Sequence, residues 1–164
     1  MSIVIKFILY RLKRNDKGKE SETLFLNTNF FITLRLEIIE EKLNCVIRWT
    51  KNKNIFSKKL IFIPINKTHN HWSLLVVVNP GKFTKKDKVN GDNDEISYIL
   101  LFNSFETQNK NTIRKSICQW LNLLYEKVNN MEEKCDMFDD LCLYDNMNSK
   151  FNIFKFITQV TIIY

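Results

Sequence analysis

Glycine and proline are nearly missing from this chain of 164 residues, which has three Gly and two Pro. Long loops must therefore be built from Asn, Lys and Asp. Twenty asparagines supply much of that material, and many stand beside Lys, a pairing that reflects AT-rich codons rather than chemistry. No apolar run reaches the roughly 18 residues that a membrane-spanning helix needs, so no membrane partner is expected. The four cysteines, Cys45, Cys118, Cys135 and Cys142, form no Cys-X-X-Cys pair, and the histidines number two, His69 and His71. Four ligands at zinc-site spacing cannot be assembled from that set, so neither a metal nor a cofactor is expected. Cys45 and Cys118 fall in apolar helical patterns and read as buried free thiols, which suits a reducing compartment, nucleus or cytoplasm. The apolar opening from Met1 to Tyr10 lacks the order of a secretory signal, because Lys6 interrupts it and its basic residues follow rather than lead. A buried first helix is the better reading.

What is present favours one folded domain. Apolar residues make up 45% and aromatics 13% of the chain, enough for a core and far from the composition of a disordered tail. The net charge of +7 would suit a polyanion. Its lysines are scattered, however, and no aromatic-interleaved basic stripe or zinc-finger signature accompanies them, so they read as solvated and no nucleic-acid partner is expected.

Along the chain, Ser2 to Leu12 carries apolar residues at helical spacing, and Asn15 to Glu22 is a polar linker. Leu24 to Phe31 is aromatic-rich. Leu34 to Trp49 repeats with a 3.6 period and predicts two short helices, followed by a basic turn region from Lys51 to Lys59. Leu60 to Ile65 and Trp72 to Val78 are short β-branched runs punctuated by Pro64 with Asn66 and by Asn79-Pro80-Gly81, so both predict strands. Val76, Val77 and Val78 are apolar at consecutive positions, which requires both faces of that strand to be covered. Residues 82–95 form a charged solvent loop, and Ile96 to Phe102 predicts a third strand. Asn111 to Val128 is the clearest helix, with Ile113, Ile117, Trp120, Leu121, Leu124 and Val128 on one stripe and Asn111 or Thr112 as its cap. Residues 129–150 are a polar insertion with a partial helical pattern near Met137 to Tyr144, and Phe151 to Tyr164 predicts a last strand. Helices, strands, helix and strand in that order give an α+β fold with a central sheet flanked by helices.

The chemistry gathers at His71-Trp72, where a histidine opens a buried strand straight after a loop. Such a histidine can act as a general base. Asn103 ends the next strand, and if the two strands are neighbours it can accept a bond from the His ring and hold its tautomer. Taken alone, a His-Trp pair before a strand is more often a packing pair, and His69 reads as a loop residue.

The tracts Val46-Ile47-Arg48-Trp49-Thr50-Lys51, Ile55-Phe56-Ser57-Lys58, Ile61-Phe62-Ile63-Pro64-Ile65-Asn66 and His71-Trp72-Ser73-Leu74 together resemble the Ulp/SENP family of SUMO-removing cysteine proteases, in its branch with loop insertions. Leu24 to Phe31, Ile99 to Ser104 and the helix from Ile113 to Tyr125 are similar to the family's flanking segments, in the right order. The resemblance implies a papain-like fold, with a central mixed sheet flanked by helices, and a single catalytic domain over residues 1–164, incomplete at both ends. It implies His71 as catalytic base and Asn103 where the family's acid is usually Asp. It also implies Trp72 as a wall of the narrow tunnel that takes a modifier's Gly-Gly tail, a tunnel that only residues without side chains can enter. The implied partner is a SUMO-like modifier with its conjugates, met by a monomer.

Two departures matter. Asn103 is neutral and cannot stabilise an imidazolium by charge. The family's Gln with an Asp-Cys-Gly motif, which supplies oxyanion donor and nucleophile, has no counterpart near any of the four cysteines, and Gln159 has no Cys after it. The chain as written is therefore expected to hydrolyse nothing. A non-catalytic remnant that binds a modifier is the alternative, and a basic nucleic-acid-binding domain is a weaker third.

Overall fold

The computed structural model describes residues 22–35, 40–68, 71–82, 97–102 and 109–145, with the backbone alone at 40–43, 67, 68 and 71. The expected first helix, most of the 82–95 loop and the expected final strand lie outside the described residues.

Five strands form one sheet in the order β1-β2-β3-β4-β5. They are β1 (Thr23–Phe25), β2 (Leu60–Thr68), β3 (His71–Val78), β4 (Tyr98–Phe102) and β5 (Leu143–Asp145). β1 runs parallel to β2, β2–β3 and β3–β4 are antiparallel, and β5 runs parallel to β4. The sheet is thus mixed, as expected. Valines 76–78 are all buried, and the alternation of side chains splits the strands between two apolar clusters. Ile61, Ile63, Ile65, Leu75, Val77, Ile99 and Leu101 face the helices. Leu60, Phe62, Leu74, Val76, Val78 and Leu100 make a second cluster on the other face. The covered strand read from the consecutive valines is therefore present.

Among the described residues three helices pack on the first face: α1 (Thr28–Arg35), α2 (Glu40–Thr50) and α3 (Lys110–Asn129). The Asn27 side chain opens α1 by accepting from the Phe30 N–H at 3.0 Å, which leaves Phe30, Phe31 and Leu34 to be buried. α3 starts at Asn109, whose side chain accepts from the Thr112 N–H, two residues before the expected cap. It stops where Asn130 turns left-handed at φ 51° and donates to the Glu126 carbonyl, a conformation Asn tolerates better than most residues. Val128, expected on the buried stripe, is exposed because the stripe has rotated off the core by the last turn. Trp120 joins the three helices. Its ring meets Phe30 edge-on at 4.9 Å, and its indole N–H donates to the Thr50 hydroxyl at 3.2 Å.

β2 runs through Pro64 and Asn66 rather than ending there. β1 pairs β2 only from Leu60 to Phe62, so among the described residues Pro64 sits where that side of β2 has no strand to donate to. After β3, Asn79 takes φ 46° and the turn Pro80–Lys82 packs on the turn Ile55–Ser57. A Cβ on Gly81 would meet the Phe56 carbonyl at 1.9 Å, so glycine is required there.

The segment near Met137 to Tyr144 is turns followed by β5, not helix. It is held by a row of α3 side chains at Glu126, Asn122 and Arg114, four and eight residues apart. Glu126 accepts from the Cys135 N–H at 2.6 Å. Asn122 accepts from the Phe138 N–H at 2.9 Å and donates to Asp139 at 2.7 Å, and Arg114 donates to the Asp139 carbonyl at 2.6 Å. Phe138 is clasped between Phe56 and Tyr125. These long-range bonds replace the local pattern that had suggested a helix.

Candidate active site

The antiparallel pairing sets where the site can form. β3 begins at His71, and β4 ends at Phe102 opposite Leu74. Three residues of extended chain separate Leu74 from His71, about 10 Å, so the end of β4 and the start of β3 share one edge of the sheet. β5 runs parallel to β4 with Leu101 opposite Asp145, so it ends at the same edge. There the Lys110 ammonium, in the first turn of α3, is ion-paired with the buried Asp145 carboxylate.

Of the three residues singled out by sequence, Trp72 is described in full. It is half-buried and packs against the second apolar cluster. His71 is placed by its backbone, opposite Thr68, beyond a register shift between Asn66 and Thr68. Bulges of this kind are common beside active sites, where they re-aim a strand end. Asn103 follows Phe102 directly and lies outside the described residues, as does His69.

Sequence reasoning passed over Asn66. It stands directly opposite Trp72, and its side-chain oxygen is buried without a hydrogen-bond partner. In the sequence it looked like the punctuation that ends a strand, and nothing there signals a bulge.

The four thiols differ in their surroundings. Cys118 is buried in α3, and loss of solvent pushes its thiol up to about 11, so it stays protonated near neutrality. Cys135 is buried with its Sγ 3.6 Å from the Asn122 side-chain oxygen. Cys45, expected to be buried, is half-buried on α2, and Cys142 is exposed. Among the described residues no group of three or more His, Cys, Asp or Glu could hold a metal ion. No helix among them is long and apolar enough to cross a membrane. The exposed Lys51, Lys53 and Lys82 lie on or beside the two short turns at the opposite end of the sheet from His71.

The mixed sheet with the described helices on one face is consistent with the papain-like cysteine protease fold. A solved structure titled as that of the de-sumoylating protease superposes with a TM-score of 0.60 at 19% identity, covering 85% of this chain and 49% of its own. Residues 1–153 match the Ulp1 protease family, C-terminal catalytic domain, and the chain belongs to that family. It is 51% identical over 86 residues to probable ubiquitin-like-specific protease 2A of Arabidopsis thaliana, covering 48% of this chain and 11% of that protein. It is 23% identical over 129 residues to probable ubiquitin-like-specific protease 2B of the same plant, covering 71% of this chain and 14% of that protein. The chain thus spans about a seventh or less of the length of these two relatives.

Proposed function

We propose that this chain is the base-bearing part of a cysteine-type peptidase domain that removes SUMO-like modifiers from proteins or matures their precursors. The observation that carries the reading is the β3–β4 register, which brings the strand opened by His71 and the end of the strand preceding Asn103 to one edge. In that reading His71 takes the proton of a cysteine thiol, and Asn103 accepts from the imidazole and holds its tautomer. The thiolate attacks the modifier's C-terminal glycyl carbonyl, and His71 returns the proton to the departing amine. Water, deprotonated by His71, then releases the modifier and regenerates the thiol. Trp72 walls the tunnel for the Gly-Gly tail. The neutral Asn103 orients the ring without charge, so the imidazolium is less favoured than beside an Asp.

None of the four cysteines is the nucleophile in this proposal. Cys118 is held protonated, Cys135 is enclosed behind α3, and none has the neighbours of the family's nucleophile. Losing a triad nucleophile costs on the order of 10⁶ in kcat, so the chain alone hydrolyses nothing. A non-catalytic modifier-binding role is the second reading, and the environment of those thiols favours it. The partner is a SUMO-like modifier and its conjugates, bound by a monomer in the nucleus or cytoplasm, with neither nucleic acid nor membrane involved. Titration of the ¹⁵N-labelled chain with mature modifier tests this. Amide shifts at Trp72 and Ser73 are expected, and they should be lost when the modifier lacks its two terminal glycines. Shifts that ignore the tail would overturn the proposal.

A further inference from the structure

The charge of this chain is unevenly placed. From Lys42 to Lys86 there is no Asp or Glu, while ten Lys and Arg occur. The described part of that tract leaves Arg48, Lys51 and Lys53 exposed at the end of α2 and on the turn after it. Among the described residues no carboxylate pairs with any of the three, whereas the neighbouring Lys59 ammonium has Glu22 at 3.1 Å. Trp49 stands among them and is 40% exposed. A cation in the last turn of a helix offsets the helix dipole, which accounts for Arg48. Lys53 lies beyond the helix, and the dipole gives no reason for an exposed indole, the largest apolar side chain. The backbone beneath them is fixed. The Lys51 and Lys53 N–H groups donate to the Ile47 and Thr50 carbonyls at 2.7 and 3.0 Å. The Asn54 carbonyl accepts from the Ser57 N–H at 3.0 Å and from the Ser57 hydroxyl at 2.8 Å. The Lys59 carbonyl accepts from the Asn79 N–H, so this surface lies at the Val78 end of β3, about 23 Å along the strand from His71.

We propose that this end of the molecule is a docking surface for an acidic protein segment, a run of Asp and Glu that contains a large apolar side chain. The carboxylates pair with Arg48, Lys51 and Lys53, and the apolar side chain packs on the Trp49 ring. Tryptophan and arginine are the residues that most often dominate a binding interface. The unpaired cations set which partner is drawn in and how fast, since charge complementarity acts on encounter and on the rejection of wrong partners. The ordered turn keeps the ring and the charges in place before the partner arrives, so little freedom is lost on binding. A nucleic acid is the poorer fit. It carries phosphates along its whole length and is held by a long basic track with several stacking rings, whereas this surface offers one ring and a span of six residues from Arg48 to Lys53. The site lies apart from the catalytic edge, so the acidic segment and a modifier at that edge do not compete. The inference stands on the charge and exposure of this surface and is independent of the modifier reading.

The test is fluorescence anisotropy of the full chain with a fluorescein-labelled peptide of glutamates flanking a phenylalanine. The controls are the same peptide with glutamine for glutamate, a single-stranded oligonucleotide of equal charge, and vesicles of phosphatidylserine with phosphatidylcholine. The glutamate peptide should bind, and the glutamine peptide should bind at least about tenfold more weakly. Trp49→Gln and the double variant Lys51→Glu with Lys53→Glu should each weaken binding of the glutamate peptide about tenfold. In the ¹⁵N-labelled chain the peptide should shift amides of residues 48–54 and leave Trp72 and Ser73 unmoved. No binding, equal binding by wild type and both variants, or shifts centred on Trp72 and Ser73 would overturn the proposal. Tighter binding of the oligonucleotide or of the vesicles would overturn it in favour of a polyanion or a lipid surface. Because these side chains are exposed, both variants should melt within a few degrees of the wild type. A much lower melting point in Trp49→Gln would make the ring a structural residue and overturn its role, and the lysine variant tests the charges separately.

Discussion

At the scale of single residues, the fold depends on polar groups paired inside an apolar core. Thr50 is fully buried. Its hydroxyl donates to the Val46 carbonyl at 2.8 Å and accepts from Trp120. Thr50→Val leaves the indole N–H buried without an acceptor, which should cost about 1–3 kcal/mol in chemical denaturation; a loss under ~0.5 kcal/mol would mean that the bond contributes nothing. Cys118 gives a pH signature. Its folded pKa is about 11 against an ordinary 9.0, so the unfolded chain loses this proton first as pH rises. The contribution is constant below about pH 9, and stability falls between there and about pH 11, by at most ~1.4 kcal/mol per pH unit. Denaturation midpoints across that range should fall less steeply in Cys118→Ala. At this scale the sequence was legible where a side chain declares its chemistry. His71-Trp72 could be singled out, and Cys118 could be read as buried. The isolation of the Asn66 oxygen could not, because it depends on which strand lies opposite and where the ladder slips.

At the scale of elements, the 3.6 period served well for α3 and for α2, although two short helices were expected over 34–49 and the first described helix instead covers Thr28–Arg35; the short, punctuated β-branched run marked β3. Periodicity failed where long-range contacts override local pattern. Pro64 looked like a strand end, yet β2 passes through it because β1 is too short to need its missing N–H. Residues 137–144 looked partly helical, yet the polar row of α3 captures their main chain. Asn122 is the centre of that row, accepting from Phe138 and donating to Asp139. Asn122→Ala should leave the Phe138 N–H without its acceptor and lower stability by about 1–3 kcal/mol. Hydrogen exchange should then speed up at residues 135–141 before it does in β3. Unchanged protection of that segment would show that the aromatic clasp of Phe138 alone secures it.

At the scale of the whole molecule, the α+β class followed from the order of runs and turns, the mixed sheet came with the family resemblance, and that resemblance fell on tracts that the fold brings into one sheet. The strand order, the two parallel edge pairings and the placement of all described helices on one face were not legible, because each depends on contacts between residues far apart in the chain. The outcome is a sheet edge where the strand opened by His71, the end of β4 and the end of β5 converge. The central proposal is that this chain offers a modifier the base-bearing half of a protease site without a nucleophile. Native mass spectrometry of the chain with a modifier bearing a C-terminal propargylamide tests it most directly. A one-to-one complex that falls apart on denaturation to a chain of unchanged mass is the predicted result. A covalent adduct on Cys45, Cys118, Cys135 or Cys142, or no complex at all, would contradict it.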